Sequence, residues 1–367
     1  MLNSPSNIPE IPANVHSKSL LPHVLAAYDV GLSPVPAKED GSKAPDVGRW
    51  KSLQKVRLNR GFLESEFSNG RTGMGLICGQ VSGNLETLEF DDFPTYQAFL
   101  ERANVCGLED LVQRIKAGYC EQSPSSGIHW PYHCTEIGGN TKLASRPKLP
   151  EEKLHPKDDI KTLIETRGEG GFVVTAPSYG KVHPTGKPYV LLSGGFNTIT
   201  NITPEERNSL FELARSFDQT LTQEKIGHVG HAGHIGHVDR GSRIENLSLP
   251  GDDFNKRGDW GDILHPHGWE AVYEQSGEIY WRRPGKSEGI SATTNYAGTD
   301  LLYVFSTNTS LPAPRAYTKF AVYSLLDHNG DFRAAADTLS RLGYGTKTTP
   351  KPSSNHHSRT YSWLSES

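Results

Sequence analysis

Glu89 and Asp91 stand two residues apart in Leu85-Glu86-Thr87-Leu88-Glu89-Phe90-Asp91-Asp92. In an extended strand both point the same way, with Cα atoms about 6.6 Å apart on a rise of about 3.3 Å per residue. Two carboxylates so placed repel each other unless water or a divalent cation lies between them. Alone, the pair reads as a solvated strand end. Two further groups change the reading: Glu165 closes another candidate strand, 161–167, with Arg167 on its face, and His129 follows the small-residue turn Ser123-Pro124-Ser125-Ser126-Gly127. Three acids on neighbouring strands could hold two divalent cations about 3.5–4 Å apart, the geometry of nucleotidyl transfer. Hard oxygen donors select Mg2+ or Mn2+ over zinc. Backbone N–H groups at Ser125, Ser126 and Gly127, with His129, suit a phosphate. Lys43, Arg146 and Arg167 could add charged donors to it. The plain alternative for the turn is a Ser-rich hairpin with an incidental histidine.

These residues need a frame. Apolar spacing predicts a helix over 20–28, then an edge strand over 32–36. A glycine-bounded strand over 73–79 is expected beside the Glu89 strand, and helices over 94–103 and 108–117 follow. Residues 140–158 read as a basic, Pro-interrupted loop; 172–178 reads as the hairpin mate of 161–167, and 189–192 completes the sheet. Thr203-Pro204-Glu205-Glu206 is a capping box with Pro at the first helical position, so a helix runs to about 217. Residues 227–238 repeat Gly-His-x, with His228, His231, His234 and His237, a period that neither coils into a helix nor packs a core. Beyond it come a short helix over 258–264 and strands over 269–273, 279–282, 289–293 and 301–305. Helices follow over 317–326 and 332–342, the second capped by Asp331 and stopped by Gly343. The chain thus reads as α+β: a tail 1–18, a catalytic domain 19–222, a Gly/His linker 223–242, a small α+β accessory module 243–345 and a tail 346–367. In the module, Trp281, Arg282, Arg283 and Lys286 could grip single-stranded DNA by stacking and charge. A folded spacer with a solvated basic turn explains them equally well.

Composition narrows the class. A length of 367 residues suits two domains or one large one. The net charge of −4 means that nucleic-acid contact must come from local basic patches. Four cysteines with no Cys-x-x-Cys pair fit a reducing, cytoplasmic setting. Cys120, His129, His133 and Cys134 match no zinc-finger spacing, so zinc is not expected. No apolar run reaches membrane-span length, so no membrane partner is expected. Tyr280 stands where a phosphate-binding loop ending in Gly285-Lys286-Ser287 requires glycine. A replicative helicase would therefore be a separate chain.

Taken as a set, three stretches resemble the motifs of the bifunctional primase-polymerases, phage- and plasmid-borne members of the archaeo-eukaryotic primase superfamily. They are Glu89-Phe90-Asp91, then Ser125-Ser126-Gly127-Ile128-His129, then Ile164-Glu165-Thr166-Arg167-Gly168-Glu169-Gly170-Gly171-Phe172-Val173-Val174-Thr175-Ala176-Pro177-Ser178. The likeness covers about residues 20–220, with Lys43-Ala44-Pro45 and Leu143-Ala144-Ser145-Arg146-Pro147 as flanks. Here Glu replaces the frequent Asp at 89 and 165, and Ser126 stands where Gly is common. The resemblance implies an archaeo-eukaryotic-primase-like core with an RRM-like sheet. It also implies synthesis of primers on single-stranded DNA from NTPs or dNTPs, with their extension, in a bacterial or phage-infected cell. It would place Glu89, Asp91 and Glu165 on the metals, and His129 with Arg146 or Arg167 on the incoming nucleotide. Two other classes remain beside it: a catalytically inactive replication-associated DNA-binding protein, and a metal-dependent nuclease or phosphohydrolase.

Overall fold

The computed structural model describes residues 19–220, 249–313 and 315–345. In chain order, α1 (Leu21–Asp29), β1 (Pro34–Pro36), α2 (Trp50–Leu53) and α3 (Arg60–Phe67) precede β2 (Met74–Ile77) and β3 (Leu85–Phe90). Next are α4 (Phe93–Val105), α5 (Glu109–Gly118), β4 (Tyr119–Gln122), β5 (Ile128–Cys134), β6 (Thr141–Pro147) and β7 (Ile160–Arg167). β8 (Phe172–Val174), β9 (Val190–Gly194), β10 (Asn201–Ile202) and α6 (Pro204–Arg215) follow. After the gap stand α7 (Pro250–Arg257), α8 (Trp260–Leu264), β11 (Glu270–Gln275), β12 (Glu278–Arg282), β13 (Ala292–Thr294), β14 (Leu302–Val304), β15 (Arg315–Tyr317), α9 (Lys319–Asp327) and α10 (Phe332–Arg341). The class is mixed α+β, and every strand pairing among the described residues is antiparallel except β10 on β5. No described helix is long and apolar enough to cross a membrane.

Three sheets form. The central one runs β6-β7-β3-β5-β4-β9, with β10 added to β5; a small one runs β1-β2-β8; the last runs β11 to β15 in sequence order. Two expected pairings are thereby corrected. β2 lies beside β1 and β8 rather than alongside β3, meeting that strand's start only through the single bridge Gly79–Leu85. β8 turns to β2 instead of folding back on β7, because Gly168 to Gly171 carry the chain across to the second sheet. A Cβ at Gly75 would fall 2.5 Å from the Phe172 ring, so glycine is what lets β8 close on β2. The stretch expected as a basic loop is in its first half strand β6, paired with β7.

The main core lies under one face of the central sheet. Leu88, Phe90, Trp130 and Tyr132 pack there against Phe99, Val112, Ile115, Leu210 and Phe211 of α4, α5 and α6. Phe90 sits edge-on to Trp130 and Phe99 at 5.0 and 4.9 Å between centroids. α6 begins as its capping box dictates: Thr203 Oγ1 accepts from Glu206 N–H, and Glu206 accepts from Thr203 N–H. The same core also holds Tyr280, Ile290, Tyr303, Phe305 and Ala316 of the last sheet.

That last fact redraws the domains. Among the described residues, one compact unit comprises 19–220 together with 264–313 and 315–317, and the other 249–263 together with 318–345. The expected accessory module 243–345 is thus split: its sheet belongs to the first unit, and α7, α9 and α10 to the second. Among the contacts that tie this stretch in, Gly289 N–H donates to Cys106 C=O at 2.7 Å, Arg102 lies over the Tyr280 ring, and Lys286 pairs with Glu212 of α6. In the second unit, Asp331 caps α10 by accepting from Arg333 and Ala334 N–H, and Asn255 accepts from Phe320 N–H. The Gly/His linker and both tails lie outside the described residues.

Candidate functional site

Strand register assembles the site. Across the central sheet, Lys142 of β6 is opposite Glu165 of β7, Glu165 opposite Glu89 of β3, Glu89 opposite His129 of β5, and His129 opposite Glu121 of β4. Directly opposed residues share a face with Cβ atoms about 4.5–5.5 Å apart. Residues scattered along the chain from Glu89 to Glu165 therefore stand in one row. Asp91 follows two residues beyond Glu89, where its N–H donates to Leu163 C=O and keeps it in line with β7. Glu165, Glu89 and His129 of that row floor a polar cleft of about 380 Å³ lined also by Lys43, Asp91, Ser125 and Arg167, with Phe172, Val174 and Tyr189 as its apolar wall.

Each charge in the cleft has a physical setting. Arg167 bridges two of the acids, its Nε donating to Glu89 at 3.2 Å and its terminal nitrogen to Glu165 at 2.6 Å. Desolvation holds the Glu165 carboxyl above the usual carboxylate range, against the opposing pull of Arg167. Desolvation by the cleft wall likewise raises Asp91, although the residue is exposed on its other side, with Lys161 pulling the other way. Among the described residues no donor is paired with the Asp91 side chain. His129 Nδ1 lies 2.8 Å from Glu121 Oε1. Burial works against a charged His129, but the Glu121 hydrogen bond and the charges of Glu89 and Glu121 outweigh it and hold the imidazole above its ordinary value.

The donor set fits a hard cation, since all three acids offer carboxylate oxygen and one of them is unpaired. As it stands, no group of three His, Cys, Asp or Glu among the described residues is poised to hold a metal ion. The Arg167 guanidinium is hydrogen-bonded to both Glu89 and Glu165.

Several expected residues lie elsewhere. Ser126 and Gly127 do not line the cleft. Their N–H groups are used inside the turn, Ser126 donating to Ser123 C=O and Gly127 to Ser123 Oγ. Ser126 adopts φ 70°, the left-handed region that favours glycine. Gly127 has a packing role, because a Cβ there would fall 2.5 Å from Phe90 C=O. Arg146 is clamped by Glu152 through two 2.6 Å bonds rather than turned to the cleft. The stacking surface expected at Trp281 is in the interior. Trp281 is 1% exposed and donates its indole N–H to Thr294 Oγ1. Arg282 donates to Gly289 C=O, and Lys286 pairs with Glu212 and donates to Ile290 C=O. Arg283, half-buried like Arg282, donates to Pro284 C=O. The residue that sequence reasoning passed over is Glu121. A five-residue turn over 123–127 sets Gln122 opposite Ile128, and so Glu121 opposite His129. Counting outward from the turn would have found it.

No family model matches the chain, and no curated protein sequence matches it.

Proposed function

We propose that the first unit is a DNA-templated nucleotidyltransferase, a primase with polymerase activity that lays primers on single-stranded DNA and extends them during phage or plasmid replication. One observation carries this reading: a single rung of the central sheet sets Glu165, Glu89 and His129 side by side, with Asp91 next to them, on the floor of a polar cleft. Helices α4 to α6 cover only the opposite face of that sheet, which is compatible with an RRM-like primase core.

Magnesium or manganese, bound by Glu89, Asp91 and Glu165, would supply the charge that activates a 3′-hydroxyl and stabilises the departing pyrophosphate. The chain's own residues have distinct tasks beside it. His129 and Lys43, both on the cleft lining, face the triphosphate oxygens. Arg167, once released from its two acids, is in reach of the same oxygens. Ser125 offers a hydroxyl at the exposed rim. Phe172, Val174 and Tyr189 exclude water from one side of the bound nucleotide. The template, NTPs or dNTPs and a separately encoded helicase are the partners this activity needs, and a bacterial or phage-infected cytoplasm is its setting.

The test is synthesis on unprimed single-stranded DNA with nucleotides and Mg2+ or Mn2+, beside the double variant Glu89→Ala/Asp91→Ala. Oligonucleotide products from the wild type alone support the proposal. One observation favours a second reading, an inactive DNA-binding protein: the Arg167 bridge neutralises two of the acids from within. Binding of DNA without synthesis would select it. Degradation of the template would instead select a nuclease.

A further inference from the structure

Glu121 is buried at 1% exposure and sits next in the rung to His129. Its two oxygens divide their work. Oε1 faces His129 Nδ1 at 2.8 Å; Oε2 accepts from the Tyr119 hydroxyl, the Thr175 hydroxyl and the Ala176 N–H, all at 2.7 Å. Tyr119 belongs to β4, whereas Thr175 and Ala176 follow β8 of the small sheet. The carboxylate is therefore locked between the two sheets that border the cleft, and its rotamer has no freedom left. Among the described residues nothing takes up His129 Nε2, and the ring lines the cleft. A carboxylate acting as acceptor fixes a proton on the facing ring nitrogen and, through it, the orientation of the whole imidazole.

Resting on the nucleotide reading of the cleft, we infer that Glu121 is a positioning residue: it pins the proton on His129 Nδ1 and so fixes the imidazole with Nε2 turned toward the bound triphosphate. Glu121 itself touches no substrate, and its effect on binding passes through the imidazole.

Ring-nitrogen NMR of the full chain with 15N-labelled histidine reports the protons directly, His129→Gln giving the assignment. The expected result is a proton on His129 Nδ1, shifted strongly downfield. An unprotonated Nδ1 overturns the inference. Calorimetric binding of Mg·dATP then compares the wild type, Glu121→Gln, His129→Ala and the double variant. Each single change is expected to weaken binding about tenfold or more, the scale of one hydrogen bond to a charged group. The double variant should bind no more weakly than His129→Ala. Glu121→Gln binding like the wild type, or a loss that adds in full to that of His129→Ala, overturns it. Thr175→Val, which strips one donor from Oε2, is the gentler variant should Glu121→Gln fail to fold. Its several-fold loss should vanish when His129 is Ala, and a loss that persists there counts against the inference. A wild type that binds no Mg·dATP and makes no product sinks the nucleotide reading alone, because the ring-proton measurement still decides the Glu121–His129 pairing.

Discussion

Strand β3 carries two glutamates three residues apart, each beside an arginine, and their fates differ. Glu86 points into the helical side and is fully buried; Arg207 donates to it twice, at 2.5 and 2.8 Å, and the Tyr132 hydroxyl donates at 2.7 Å. Arg207 in turn lies 4.1 Å from the centre of the Phe211 ring. Glu89 points into the cleft with 14% of its side chain exposed, holds one 3.2 Å contact from Arg167, and shares that arginine with Glu165. An acid whose acceptor sites are all filled in a closed apolar setting supports structure. An acid left short of donors beside open space is available for chemistry. The residue type does not distinguish the two; the number of donors aimed at each carboxylate does.

The contrast can be broken at either glutamate. Glu89→Ala/Asp91→Ala should carry the largest effect, a fall in primer synthesis of at least about 10³-fold, since several kcal/mol of charge stabilisation is lost at about 1.4 kcal/mol per tenfold. Its unfolding free energy in urea should stay within about 1 kcal/mol of the wild type, as removing crowded like charges at a functional site rarely costs stability. Glu86→Ala should reverse the pattern. Stranding Arg207 without its partner costs about 3–5 kcal/mol, while the rate per folded molecule is retained; equal stability of the Glu86→Ala and Glu89→Ala variants would end the comparison. Gly127→Ala tests whether the hairpin must pack this tightly on the end of β3. Crowding of Phe90 C=O is expected to cost about 1–3 kcal/mol and to slow synthesis by displacing Asp91.

Arg146→Ala sharpens the contrast from the exposed side. Arg146 holds the Glu152 carboxyl down to about 2 from its ordinary 4.5. A carboxyl lowered on folding adds stability above its unfolded value and loses that contribution as pH falls through the folded one. Any stability difference between wild type and variant should thus be flat above about pH 5 and close toward pH 2, as urea unfolding across pH will show. Affinity for Mg·dATP should stay within about twofold, because Arg146 is engaged by Glu152. A tenfold loss would return it to the nucleotide site.

What the sequence discloses here is local. The two-residue spacing of Glu89 and Asp91, the turn before His129, the Thr203 capping box and the Asp331 cap each act through neighbours a few residues away, and each is found in the structure. Strand partners are another matter. Alternation along 172–174 is the same whether β8 lies on β7 or on β2, and only the close approach at Gly75 separates the two. Exposure is equally hidden. Trp281-Arg282-Arg283 has the composition of a nucleic-acid grip, but a tryptophan's place inside or outside depends on what packs against β12. Glu121 escaped notice because a single acid between Cys120 and Gln122 has no pattern of its own; its meaning arises only from the hairpin that brings His129 opposite it.

The return of residues 264–317 to the first unit has a consequence for how the molecule comes into being. On the ribosome, α4, α5 and α6 emerge long before the tyrosines and phenylalanine that share their core, so the nascent chain waits with part of that greasy core uncovered until the last sheet arrives. A fragment cut at 222 should therefore precipitate on expression, whereas one carried through 317 has its lid.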